Sequence, residues 1–146
     1  MLFVSETPVS VGNRGFSVLI LYFCAMALSF PKSENLKSRT TIKKLFDQGK
    51  SYTSFPVKLI YIPQDKLNKS EAAFAVPKRN FKLAVSRNSI KRQMREGYRL
   101  HKQLLTASNN MGFSLLFLYL GKDKPKYDKM EKAIGALLGK LIDKNT

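Results

Sequence analysis

Residues able to break or transfer bonds are scarce in this chain. It holds one histidine (His101), one cysteine (Cys24) and 10 Asp+Glu in 146 residues. A protein nuclease needs carboxylates gathered around metal ions, or a paired general acid and base. The ten acids here are scattered and match no metal-ligand spacing. His101 falls on the apolar side of a helical pattern, which reads as packing rather than catalysis. A lone cysteine excludes an internal disulfide framework and a cysteine-rich zinc site. No catalytic and no metal-ligating residue is assigned.

Positive charge is what the chain has in quantity. Its 26 Lys+Arg give a formal charge of +16. Nine of them, Lys78, Arg79, Lys82, Arg87, Lys91, Arg92, Arg95, Arg99 and Lys102, fall in one stretch with a single acid, Glu96. Arg87, Lys91, Arg95 and Arg99 are four apart, and side chains four apart share one helix face. They form a cationic ridge whose like-charge pairs each weaken the helix by a few tenths of a kcal/mol. A face built only for solvation interleaves Glu with Lys, and this one does not. A phosphate backbone is the partner that suits it, because the planar guanidinium binds phosphate bidentately. Asn88 can bond phosphate, sugar or a base edge, and the turn at Lys78 and Arg79 extends the surface. A polyanion is therefore expected: nucleic acid first, an anionic membrane second.

The elements that must carry this ridge can be read from periodicity. Ser38 supplies N-cap chemistry, and Ile42, Leu45 and Phe46 give one apolar stripe on a helix over 39–48, closed by Gly49. Residues 55–62 read as a strand with Val57, Leu59 and Tyr61 on one face and Lys58 and Ile60 on the other. Pro56 suggests that its start lies at a sheet edge. A short strand over 71–76 and a brief extended piece over 80–83 precede a long helix over 85–106. On that helix Ile90, Met94, Gly97 and His101 line the buried face. The run 113–120 is almost wholly apolar, as a central strand covered on both sides would be. A helix over 127–143 follows a turn-rich loop. The order α-β-β-(β)-α-β-α describes a small α+β two-layer sandwich with the basic helix crossing a mixed sheet.

The N-terminal part is different in kind. Residues 1–25 contain only Glu6 and Arg14 among charged residues, so the whole net charge sits on 26–146, read as a single nucleic-acid-binding domain. The uncharged run 16–30 is short for a membrane span, which needs about 20 residues. It suits a secretory signal core, but its n-region carries one arginine and one glutamate. The preferred reading is that 1–25 is a non-native or disordered extension and that translation starts at Met26. A buried N-terminal helix and a true anchor or signal are the alternatives.

Taken together, certain runs resemble a known family. These are Phe74-Ala75-Val76-Pro77-Lys78-Arg79, Lys82-Leu83-Ala84-Val85, and Arg87-Asn88-Ser89-Ile90-Lys91-Arg92-Gln93-Met94-Arg95-Glu96. They look like the bacterial ribonuclease P protein component, whose hallmark is Arg-Asn-Arg-x-Lys-Arg-x-x-Arg on a helix. The resemblance spans roughly 34–143 in element order and is specific over 74–96. It departs at Ser89, where the family usually has Arg. It implies a left-handed crossover around the basic helix, against the general right-handed rule. It implies a protein subunit of an endoribonuclease holoenzyme, in which a large RNA with bound Mg²⁺ performs the hydrolysis. The protein would bind that RNA and the 5′ leader of precursor tRNA, in the cytoplasm, as a monomer in a 1:1 ribonucleoprotein without stable membrane association. Lys78, Arg79, Arg87, Asn88, Lys91, Arg92, Arg95 and Arg99 are the expected contacts to the catalytic RNA. Ile42, Phe46, Lys58 and Ile60 are the expected leader-binding cleft, with plain core as the alternative for the three apolar ones. A different basic RNA-binding protein, such as a ribosomal protein, and a membrane-anchored basic protein are the rival readings.

Overall fold

The computed structural model describes residues 30–64, 70–108 and 112–145. Residues 1–25, expected above to be an extension, lie outside them. Strand β4 (Gly112–Tyr119) is the axis of the fold, and all but Leu118 of its residues are buried. It pairs antiparallel with β2 (Val57–Gln64) and parallel with β3 (Glu71–Ala75), while β1 (Lys50–Ser54) pairs antiparallel with the far side of β2. The sheet order is β1-β2-β4-β3. The near-continuous apolar run of β4 follows from this central place, because both of its faces meet other residues.

Among the described residues, four α-helices flank the sheet: α1 (Arg39–Gln48), α2 (Ala84–His101), α3 (Gln103–Ser108) and α4 (Tyr127–Asn145). Strand alternation assigns the faces. Val57, Leu59 and Tyr61 of β2 and Phe113, Leu115, Phe117 and Tyr119 of β4 join Ile90, Met94 and Tyr98 of α2 and Met130, Ile134, Leu137 and Leu141 of α4 in the main core. The opposite face gives Ile60, Leu116 and Ala73 to a smaller core with Leu36 and Leu45, against which Ile42 packs. The expected α+β sandwich is thus present, and α1 covers part of its second face.

Four expectations about elements are corrected. The strand read as starting at Phe55 starts at Val57, because Phe55 and Pro56 form the turn of a hairpin. Pro56 does not mark an edge, since β2 lies between β1 and β4. The edge on that side is β1, whose sequence KSYTS is almost wholly polar and sends only Tyr52 toward the main core. Residues 80–83 form no strand; Asn80 and Phe81 donate their N–H groups to the Pro77 carbonyl and make a turn. The long helix is two helices: α2 closes with Lys102 N–H donating to Tyr98 O, and α3 begins at Gln103.

At the end of α1, Gly49 has φ −68°, so no left-handed turn asks for glycine there. Space does. A Cβ at Gly49 would press into the Leu45 carbonyl and come within 2.5 Å of Ile60 Cγ2. The chain passes directly from α1 into β1 across the sheet surface, and only a hydrogen fits between them. Gly49→Ala is expected to lower unfolding free energy by about 1–3 kcal/mol, the usual range for forced overpacking. Urea denaturation checks this, and an unchanged midpoint would mean that α1 lies less closely on the sheet.

Candidate nucleic-acid interface

Helix α2 is positioned by its apolar face. Ile90, Met94, Gly97 and Tyr98 are buried. Gly97 permits a close approach to α4, because a Cβ there would lie 2.9 Å from Ile134 Cδ1. Tyr98 sits among aromatic rings, with centroids 5.6 Å from Phe30, 6.0 Å from Phe74 and 5.6 Å from Phe117. Burial pushes its phenol pKa up, so the ring stays neutral. His101 also packs against α4: a Cβ on Gly135 would lie 3.2 Å from His101 Cε1, and Nε2 is 3.6 Å from Glu131 Oε1.

The helix starts at a residue without a side-chain cap, Leu83. Arg87 acts on the adjoining turn instead, donating from Nη1 to the carbonyls of Phe81 and Lys82, both at 2.8 Å. The ridge read from sequence therefore divides by partner. Arg87 is tied to the backbone. Arg99 donates Nε to Glu96 Oε2 at 3.0 Å and Nη2 to Oε1 of the same carboxylate, which lowers the Glu96 pKa. Lys102 reaches Glu34 Oε2 at 3.1 Å. Asn88, Ser89, Arg92 and Arg95 are exposed, and Lys91 is half-buried between them. Arg95 places its Cζ 6.0 Å from the Phe74 ring centroid, within cation–π range. Lys78 and Arg79 are exposed on the turn leading into the helix. The open part of the ridge is thus its middle, between Arg87, held by the backbone, and Arg99 and Lys102, held by acids.

On the other sheet face, the Ser38 side chain accepts from Thr41 N–H as the expected N-cap of α1. Ile60 and Leu45 are buried in the smaller core and Ile42 is packed on it. Phe46 stands apart: it is 57% exposed, a large aromatic beside that core rather than in it. Lys58 is half-buried on the same strand face as Ile60. So the four cleft residues gather on one side of the sheet. Ile42 and Ile60 are used in packing, while Phe46 offers an open ring.

Sequence reading passed over two features. Glu34 and Glu96 are dedicated counter-ions for Lys102 and Arg99; the i,i+3 spacing of Glu96 and Arg99 was a usable signal, and the pairing of Glu34 across the fold was not. The loop after β4, read only as turn-rich, carries exposed Lys122, Lys124 and Lys126. Among the described residues, no three of His, Cys, Asp and Glu come together in a way that could hold a metal ion. No helix among them is long and apolar enough to cross a membrane.

Residues 30–142 match the ribonuclease P family model. The ribonuclease P protein component of Porphyromonas gingivalis (strain W83) is 31% identical over 108 residues, covering 70% of this chain and 79% of that protein. The corresponding protein of Chlorobium phaeobacteroides is 35% identical over 125 residues, covering 75% and 86%. Among solved structures, the RNase P protein of Thermotoga maritima superposes with TM-score 0.62 at 20% identity, covering 73% of this chain and 96% of that one. The Staphylococcus aureus RNase P protein gives 0.61 at 18% identity, covering 75% and 96%.

The different partners of Arg87 and Arg92 separate a strut from a surface group. Arg87→Ala removes two charge-assisted bonds to the turn and is expected to cost about 1–2 kcal/mol. Arg92→Ala removes an exposed side chain and is expected to change stability by less than about 0.5 kcal/mol. Thermal unfolding of the two variants checks the contrast, and equal losses would contradict it.

Proposed function

This chain belongs to the ribonuclease P protein family, and from that premise we propose that it binds a catalytic RNA along α2 and the 5′ leader of precursor tRNA beside α1. In this reading it assists endonucleolytic removal of the leader and supplies no bond-breaking group. The observation that carries the proposal is the exposed set Asn88, Arg92 and Arg95, with Lys91 between them, on a helix whose other face is sealed into the core. Arginine forks there meet phosphate without first breaking an internal ion pair. Arg99 and Arg87 serve the same surface indirectly, one neutralised by Glu96 and the other holding the basic turn in place. Ser89, standing where the family usually has Arg, is exposed and flanked by Asn88 and Arg92. Arg92 and Lys78 are the groups that make up for the missing guanidinium.

Hydrolysis of a phosphodiester in this family calls for Mg²⁺. The described residues of this chain form no carboxylate cage for such an ion, so the reading leaves Mg²⁺ with RNA phosphates and assigns this chain no step through it. The protein's part is electrostatic: it offsets phosphate repulsion where two RNAs meet, which lowers the ion concentration that assembly demands. In the cleft, Phe46 is the stacking platform for an unpaired base, with Lys58 close to the backbone. Base stacking on an aromatic contributes about 1–3 kcal/mol. The reading places one protein with one RNA in the cytoplasm.

Reconstitution tests it. Added to the organism's own ribonuclease P RNA at low Mg²⁺, the protein is expected to enhance precursor-tRNA cleavage, and no enhancement would refute the assignment. Arg92→Ala should weaken RNA binding and reduce the slope of log affinity against log salt by about one unit. Phe46→Ala should weaken precursor tRNA more than mature tRNA; equal losses would return Phe46 to a packing role.

A further inference from the structure

The basic surface does not end at α2. The loop 121–126 leaves the end of β4 and folds back over the main-core side of the sheet. Tyr119 donates its hydroxyl to the Asp123 carbonyl at 2.5 Å, and a Cβ on Gly121 would run into that same phenol. Asn80 Nδ2 donates to the Gly121 carbonyl at 3.1 Å, and the Phe81 ring lies 5.8 Å from that of Tyr119. These contacts fasten the loop to the turn 77–83, which Arg87 also holds. At its far end the loop enters α4 at Tyr127, close enough to Glu96 and Arg99 for both to act on the Tyr127 hydroxyl. The loop is therefore fastened at one end to the turn that leads into α2, and at the other it passes into α4, which packs on α2 at Gly97.

Two segments distant in sequence are brought into one surface. Lys78, Arg79 and Lys82 come from the turn, and Lys122, Lys124 and Lys126 from the loop, all exposed. Asp123 is the one acid in either segment. Six cations against one acid, on segments pinned by hydrogen bonds, is costly unless something anionic lies over them. Lysine suits a phosphate track here, because a point charge on a flexible stem follows a backbone without reading bases.

We propose that Lys122, Lys124 and Lys126 form a second track for the phosphate backbone of the catalytic RNA, continuous with the basic turn that leads into α2. The proposal rests on the RNA-binding reading of α2 given above. The catalytic RNA is the occupant because the loop lies on the α2 side of the sheet, whereas the leader cleft beside α1 lies on the other.

The test measures binding of full-length protein to the organism's ribonuclease P RNA across a salt series. Four proteins are compared: wild type, Arg92→Ala, the loop triple variant K122A/K124A/K126A, and K132A/K140A/K144A, an equal charge loss on exposed positions of α4. The loop variant is expected to lose about two to three units of salt slope, roughly one per phosphate contact, with the α4 variant near wild type. An unchanged slope for the loop variant while Arg92→Ala loses a unit overturns the second track and leaves the α2 reading intact. Equal losses for the loop and α4 variants overturn it too, by reducing the effect to net charge. If wild-type protein fails to bind this RNA, the reading of α2 falls and the second track with it. Binding of mature tRNA by the loop variant is expected to match wild type, and a loss confined to tRNA would assign the loop to the substrate instead.

Discussion

A helix with this much charge of one sign is stable only because its opposite face is buried. Ile90, Met94 and Tyr98 of α2 are sealed against β4 and α4, and burial of side chains of this size contributes about 1.5–3 kcal/mol each. Repulsion along the ridge, at a few tenths of a kcal/mol per pair, is small beside that. Packing therefore decides where α2 lies, and charge decides only what it meets. The close approach at Gly97 and the aromatic group of Phe30, Phe74, Tyr98 and Phe117 are parts of the same constraint.

The fold also limits its own charge. Glu96 holds Arg99 and Glu34 holds Lys102, so the end of the ridge nearest α3 is neutralised within the molecule. Arg87, the first member of the i,i+4 series, is turned to the backbone. What remains for a partner is a compact surface around Asn88, Arg92 and Arg95, next to the basic turn. The helix backbone that carries these groups is fixed by its buried face, so little backbone order remains to be imposed when a phosphate arrives.

Much of this was legible in the sequence, for identifiable reasons. The apolar run of β4, the stripe on α1 and the spacing of α4 follow from burial alone, and burial leaves a pattern in residue type. The Arg87–Arg95 series was legible as a ridge, and its match to a family hallmark pointed to the partner. What escaped notice depended on tertiary partners or on polar edges. Strand β1 is polar because one side of it faces solvent, so only pairing with β2 shows it to be a strand. The pairing of Lys102 with Glu34 joins residues 68 positions apart, which no local pattern encodes. The proposed leader cleft was only half legible: periodicity put Ile42 and Phe46 on one stripe and the family resemblance added Ile60, but neither told which of them stays open.

The central claim is that this chain is a scaffold holding charge along one face of α2 for an RNA that does the chemistry. Lysine-acylation mass spectrometry of the free protein and of its complex with ribonuclease P RNA tests it most directly. The account predicts protection of Lys78, Lys82 and Lys91 in the complex, while Lys132 and Lys140 on α4 stay as reactive as in the free protein. Protection spread evenly over both groups, or found on α4 alone, would contradict it.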